Sequence, residues 1–332
     1  MPNMTVAARQ NIVPLVVVAL LLAFPLATTG FYLEFTSKVM ILAIFALSLE
    51  LLVGATGLVS LGHAAFYGIA AYATVLLSPK VGPANVFWIL PAAVACSALY
   101  ALFVGALSLR TKGVYFIMVT LAFAQMAYFV FHDTKLGGGT DGIYLNFKPE
   151  VALFGTRLFD LGKPAVFYYV VLGSLMLVFL FLAVLLKSRF GRVLAGIKSN
   201  EQRMRAAGFA TFPYKLAAFT LAGALAGIAG FLVAVKDGFV NPEMLSWHES
   251  GAVLLMLILG GMGRLSGAVL GAFAFALLQL FFQWEVIFGN FSKHWPLLLG
   301  VTIILCVAFM PNGLIGLPGQ MRARRKKGGS DA

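Results

Sequence analysis

The chain is 332 residues long with a formal net charge of +12, 61% of it hydrophobic and only 11% charged, for a mean hydropathy of +0.95. A soluble domain carries roughly 25% charged residues, so this composition excludes water as the main solvent. It also excludes a β-barrel, whose strands alternate over about 10 residues, because the apolar runs here are continuous.

Apolar runs bounded by charge or turn residues predict about ten spans, at 12–29, 37–53, 57–77, 86–109, 113–131, 164–186, 214–235, 249–262, 265–284 and 294–311. A helix needs about 20 apolar residues to cross a hydrocarbon core of ~30 Å. The expected fold is therefore all-α and polytopic. The first run, preceded by Arg9, resembles a signal peptide, but no clear small-x-small cleavage site follows and a retained helix is expected. Glu50 closes the second run. A carboxylate there is costly unless paired or wet, so it is either a gate or pathway residue or an interfacial group paired with a nearby arginine.

The segment Leu51 to Tyr72 is too glycine-rich for an ordinary span. Glycine weakens helices, and irregular backbone survives in a membrane only where protein or a wet cavity surrounds it. Gly57 and Gly62 bracket Ser60, and Ser60, His63 and Tyr67 are expected on one helical side, lining a pathway or packing through hydrogen bonds. Cys96 and Cys306 lie in apolar runs and read as small buried hydrophobes, not a disulfide or metal pair. Thr120 and Gln125 lie mid-span in the fifth run, where they line a path or hydrogen-bond across helices. Gly223-x-x-x-Gly227 reads as close helix packing. Leu257 to Ala272 forms a second glycine-rich segment, with Gly260, Gly261 and Gly263 as candidate hinge residues. Its Gly260-x-x-Gly263-x-x-Ser266 echoes Gly54-x-x-Gly57-x-x-Ser60, with both expected near the same side.

Between the sixth and seventh runs, residues 187–213 interrupt the apolar pattern with Lys187, Arg189, Arg192, Lys198, Arg203 and Arg205 against the single acid Glu201. The Arg110/Lys112 turn and the tail from Arg322 to Lys327 are also basic. Lys and Arg favour cytoplasmic flanks, so all three go inside and both termini become cytoplasmic. The long 134–163 connection and the 236–248 loop then fall outside. The same flanks account for the net charge without invoking nucleic acid. Within 187–213, Ser199 or Asn200 caps a short helix with Glu201 in its first turn, and Gly208 ends it. Met204, Ala206 and Ala207 form the expected contact side, with Arg203 and Arg205 at its rim, fitted to a soluble partner; an interfacial helix on anionic lipid is the alternative.

Several chemistries lack their residues. No phosphate-cradling G-x-x-x-x-G-K-[ST] occurs: the only Gly-Lys pair, Gly162-Lys163, precedes Pro164. There is no metal-spaced His/Cys cluster and no G-x-S-x-G, and intramembrane acids are too sparse for a proton relay. His132-Asp133 is the one pair that a membrane-embedded enzyme could use.

Glu201…Ala206-Ala207-Gly208 resembles, with altered spacing, the E-A-A-x-x-x-G coupling loop of ABC-importer permeases. The run from Gly54 to Phe66, the Gly137–Gly142 loop, Gly191-Arg192 and Gly260-Gly-Met-Gly263 resemble the LivM-type permease of branched-chain amino acid ABC transporters, in matching order from about residue 37 to 318. The resemblance implies one transmembrane permease domain, 1–320, with a coupling loop at 187–213 and a basic tail at 321–332, in a bacterial inner membrane. It implies import of branched-chain or other hydrophobic amino acids, with urea, short amides or sugars as the alternative within the superfamily. It also implies a second, LivH-like permease subunit, two cytoplasmic ATPase subunits that bind the ATP, and a periplasmic binding protein; the chain itself needs no cofactor and is no enzyme. Asn200, Glu201, Arg203, Met204, Ala206, Ala207 and Gly208 are the expected ATPase-coupling residues. Glu50, Gly57, Ser60, Gly62, His63, Thr120 and Gln125 are the expected pathway residues.

Overall fold

The computed structural model describes residues 19–25, 28, 30–153, 156–310 and 313–316. Most of the first expected span and the whole basic tail, 321–332, lie outside these residues; 19–25 are helical.

α1 spans Phe31–Thr56, beginning earlier than the apolar pattern predicts. It stops where Gly57 turns left-handed (φ 74°) and returns its N–H to Leu52, the usual glycine end of a helix. After an irregular stretch come α2 (His63–Leu77), α3 (Val86–Ser108) and α4 (Val114–Asp133). α5 (Pro164–Lys187) leads into two short helices, α6 (Arg189–Ser199) and α7 (Glu201–Ala206). α8 (Thr211–Asp237), α9 (Trp247–Gly260), α10 (Leu265–Phe282), α11 (Glu285–Phe288) and α12 (Trp295–Phe309) follow.

Of the ten expected spans, the first lies mostly outside the described residues and two are shorter than a full span. Among the described residues, six continuous helices (α1, α3, α4, α5, α8 and α10) and the broken segment 285–316 are long and apolar enough to cross a membrane, seven in all. α2 and α9 are shorter, at 15 and 14 residues. At 1.5 Å per residue they reach about 21–23 Å, less than a bilayer core. Residues 57–62, expected to begin a span, are not helical.

α1 and α8 occupy the centre: 83% and 78% of their apolar windows are buried, against 22% for α3 and α4. A helix that is apolar on every face belongs inside. Small residues let its neighbours approach. Ser97 of α3 shares its hydroxyl between the carbonyls of Gly223 (2.7 Å) and Phe66 (2.9 Å). A Cβ on Gly223 would collide with Ala101, and one on Gly227 would meet Ser97 Cβ at 2.9 Å. The Gly223-x-x-x-Gly227 packing expected from the sequence is therefore present, as the α3–α8 contact.

The connections sort to two ends. At one, Glu150 N–H bonds the Ala84 carbonyl (2.8 Å), and β1 (Ile143–Tyr144) pairs antiparallel with β4 (Phe239–Val240). β2 (Glu150–Leu153) and β3 (Thr156–Asp160) form a hairpin there. At the other end, α6 and α7, the stretch 57–62, the α9–α10 break and Gly313 meet.

Candidate functional site

α6 and α7 form a polar elbow. α6 is amphipathic: Val193, Leu194 and Ile197 are buried, while Arg192 and Lys198 are exposed. Asn200 ends α6 and caps α7, its Oδ1 accepting the Arg203 N–H at 2.9 Å; Ser199, the other candidate cap, closes α6. The chain then turns at Gly208, whose φ of 87° strains any side-chain-bearing residue. Glu201 holds the elbow to α8: one carboxylate oxygen accepts from Arg205 (2.6 Å), Thr211 (2.9 Å) and Lys215 (2.9 Å). Partial burial pushes its pKa up, but the hydrogen bonds from Lys215 and Thr211, the Lys215 charge and the Arg205 bond outweigh this and hold it near about 2.

Of the expected contact side, Ala206 and Ala207 are exposed and Met204 is half-buried. Met204 turns back onto α6, where a Cβ on Gly196 would meet its sulfur at 2.7 Å. Arg203, Gly208 and Phe209 are exposed beside them. Phe209 was missed in the sequence, although an aromatic residue between Gly208 and Pro213 in a polar loop is itself a signal.

The first glycine break holds its polar groups in the core. Ser60 precedes α2, so it does not share a helical side with His63 and Tyr67 as expected. Its hydroxyl accepts the Gly62 N–H (3.3 Å), and a Cβ on Gly62 would run into the carbonyl of Thr120. His63 Nε2 lies 2.8 Å from Ser48 Oγ, and its ring stacks on Phe45, which also stacks on Tyr67. Ser250 of α9 accepts the Ala64 N–H at 2.9 Å, tying α2 to α9. Thr120 is buried and bonds the Ile117 carbonyl; Gln125 is half-buried. Two cavities of about 240 and 260 Å³ lie at the opposite end, sharing Glu34 and Lys236, and neither reaches these residues.

The second break is backbone against backbone. Gly261 and Gly263 take φ of 107° and 89°, Gly260 packs on the Gly267 carbonyl, and Gly313 packs on Gly261. Glu50 joins the two breaks: its Oε1 accepts the Gly263 N–H at 2.7 Å, with the side chain only 3% exposed. Among the described residues no arginine side chain pairs with Glu50; it meets a backbone amide. Lys198 of the elbow donates to the Gly54 carbonyl at 2.7 Å, one helical turn from Glu50. The echoing glycine motifs thus meet at one point, beside the elbow.

His132 and Asp133 bond each other (2.6 Å) on the surface, with His132 stacked on Tyr128. Among the described residues no three His, Cys, Asp or Glu side chains are placed to hold a metal ion, and Cys96 and Cys306 are free thiols.

Residues 31–307 match the family described as branched-chain amino acid transport system permease component. The chain is 31% identical to the high-affinity branched-chain amino acid transport permease LivM of Salmonella typhimurium, over 94% of its own length and 76% of the relative's. The LivM permease of Escherichia coli gives the same identity and coverage. A probable LivM of Methanocaldococcus jannaschii is 25% identical over 68% of each chain. An autoinducer 2 import permease of Klebsiella pneumoniae is 37% identical over 34% of this chain. No solved structure matches. The long apolar helices, two glycine breaks and polar elbow of the described residues are thus the form this sequence gives to a membrane permease subunit, and the chain belongs to the family of branched-chain amino acid transport permease components.

Proposed function

We propose that this permease imports branched-chain or other hydrophobic amino acids across a bacterial inner membrane, with both termini in the cytoplasm. It works with a second permease subunit, two ATPase subunits that bind and hydrolyse ATP, and a periplasmic binding protein; the chain itself needs no cofactor. The observation that supports this reading best is the elbow. It is a charged, exposed turn on a membrane protein, tied to α8 by Glu201 and to α1 by Lys198, with small residues at its tip. A basic rim around small side chains suits a groove on a soluble partner. The ATPases dock there, and their closure moves the elbow against the glycine breaks. The similarity to an autoinducer 2 permease over a third of the chain indicates that related scaffolds serve other solutes.

The test is ATP-dependent uptake by the reconstituted complex. Leucine, isoleucine and valine should be taken up and compete with one another, while urea, acetamide and ribose should not compete. Uptake of one of those three in place of leucine would overturn the substrate. Orientation is tested separately: a cysteine at Gly139 or Asp237 should react with an impermeant reagent from the periplasm, and one at Asn200 only from the cytoplasm. Labelling of position 200 in intact cells would reverse the topology.

A further inference from the structure

A carboxylate buried among membrane helices is expensive and persists where it has a task. Glu50 is buried with one oxygen on the Gly263 amide, while its other oxygen, Oε2, has no hydrogen-bond partner. Backbone amides of the break are modest compensation for the desolvation of a carboxylate. The space it occupies is cut for it: a Cβ on Gly54 would overlap the carboxylate oxygen. The carbonyl of that same Gly54 receives Lys198 from the elbow, and the Lys198 stem lies 3.4 Å from where a Gly57 Cβ would be. Gly263 presents its amide from a left-handed conformation (φ 89°), which an alanine there would resist. The end of α1, the α9–α10 break and the elbow therefore meet through two hydrogen bonds, and both involve the 50–54 turn.

We infer that Glu50 is a positioning residue for the transport stroke: its carboxylate clasps the α9–α10 break to the end of α1 while Lys198 clasps the elbow to the same turn, so that motion of the elbow reaches both glycine breaks together. This rests on the permease reading above. Glu50 contacts no substrate in this role. It acts through Gly263.

The test measures ATP hydrolysed per amino acid imported by the full complex in proteoliposomes. Wild-type uptake tests the permease reading by itself: no ATP-dependent uptake sinks that reading and the clasp with it. Given wild-type uptake, Glu50→Ala should raise the ATP consumed per substrate by about tenfold, the scale of a lost coupling contact. Glu50→Gln keeps an oxygen for the Gly263 amide and should stay within about twofold of wild type. Gly54→Ala pushes the carboxylate aside and should resemble Glu50→Ala, while Glu50→Ala/Gly54→Ala should be no worse than Glu50→Ala alone. Lys198→Met lies at the exposed end of the clasp and should uncouple by the same mechanism, giving a readout even if the Glu50 variants insert poorly. A purely structural Glu50 would lower abundance and both rates together, leaving the ratio unchanged. An unchanged ratio in both Glu50→Ala and Lys198→Met overturns the inference.

Discussion

The two glycine breaks share a sequence pattern and differ in how much of their support comes from side chains: one backbone contact, Gly62 on the Thr120 carbonyl, stands in the first, and the second has little else. In the first, 57–62, side chains support the turn: Thr56 bonds Leu52, Ser60 bonds Gly62, and Lys198 lies along Gly57. In the second, carbonyls press on glycines with no side chain between them: Gly260 on Gly267, Gly271 on Met256, and Gly313 on Gly261. A contact made by side chains can be remade in another rotamer. One made by close-packed backbone moves only as a body, because packed interiors resist continuous deformation. The first break is suited to change shape and the second to pivot. The same GxxGxxS spacing therefore goes with mostly side-chain support in one place and backbone contact in the other.

Gly260→Ala separates the breaks most sharply. Its new methyl would collide with the Gly267 carbonyl, and backbone cannot step aside as a side-chain end can. The permease should fail to accumulate in the membrane, with loss of both protein and uptake on an immunoblot and transport assay. Normal abundance would show that the second break yields, and the contrast would disappear.

Next come Gly57→Val and Gly62→Val. Gly57 is left-handed, a conformation that costs a side-chain-bearing residue about 1–2 kcal/mol. A Cβ on Gly62 strikes the Thr120 carbonyl. Gly57→Val meets only the Lys198 side chain and should abolish uptake while abundance stays near normal; Gly62→Val meets backbone and should lower abundance as well. Normal transport by both variants would reduce the first break to ordinary packing.

Glu201→Lys reverses the charge of the carboxylate that accepts from Arg205, Thr211 and Lys215. The elbow should swing free of α8, with uptake down by about tenfold or more and the ATPases lost on co-purification. Wild-type uptake with the ATPases bound would remove the elbow from the mechanism. Ser97→Ala is milder. It deletes a shared hydroxyl between α3 and α8, and polar contacts between membrane helices average about 0.6 kcal/mol. Thermal stability in detergent should fall slightly with uptake unchanged.

How far the sequence reaches follows from which forces are local. α10 and the ends of α5 and α8 are legible because apolar runs stop at charge, Pro or Gly. The α7 cap and its Gly208 stop are legible for the same reason. The partner of Glu50 is not: Gly263 is 213 residues away, and an amide carries no sequence mark. Nor is the inward turn of Met204, which depends on the glycine at 196. The β2–β3 hairpin and the β1–β4 pair escape notice because two- to five-residue strands give too short an alternation to detect.

The smallest effect concerns pH and tests whether the elbow is as rigid as the second break. The folded-state pKa of Glu201, about 2, lies below its ordinary 4.5. Its contribution to the fold is therefore fully present above about pH 4.5 and is lost as pH falls toward about 2. Across about pH 5 to 8 the carboxylate stays ionised and the strut should not change. Hydrogen exchange of the 201–211 amides, corrected for intrinsic rate, should show protection that is flat over that window in the wild type. In Glu201→Gln it should be lower and equally flat, since an amide accepts these bonds without the charge that strengthens them. Protection that rose or fell near neutral pH would place the control of the elbow on some other titrating group, and the Glu201 strut would no longer account for its rigidity.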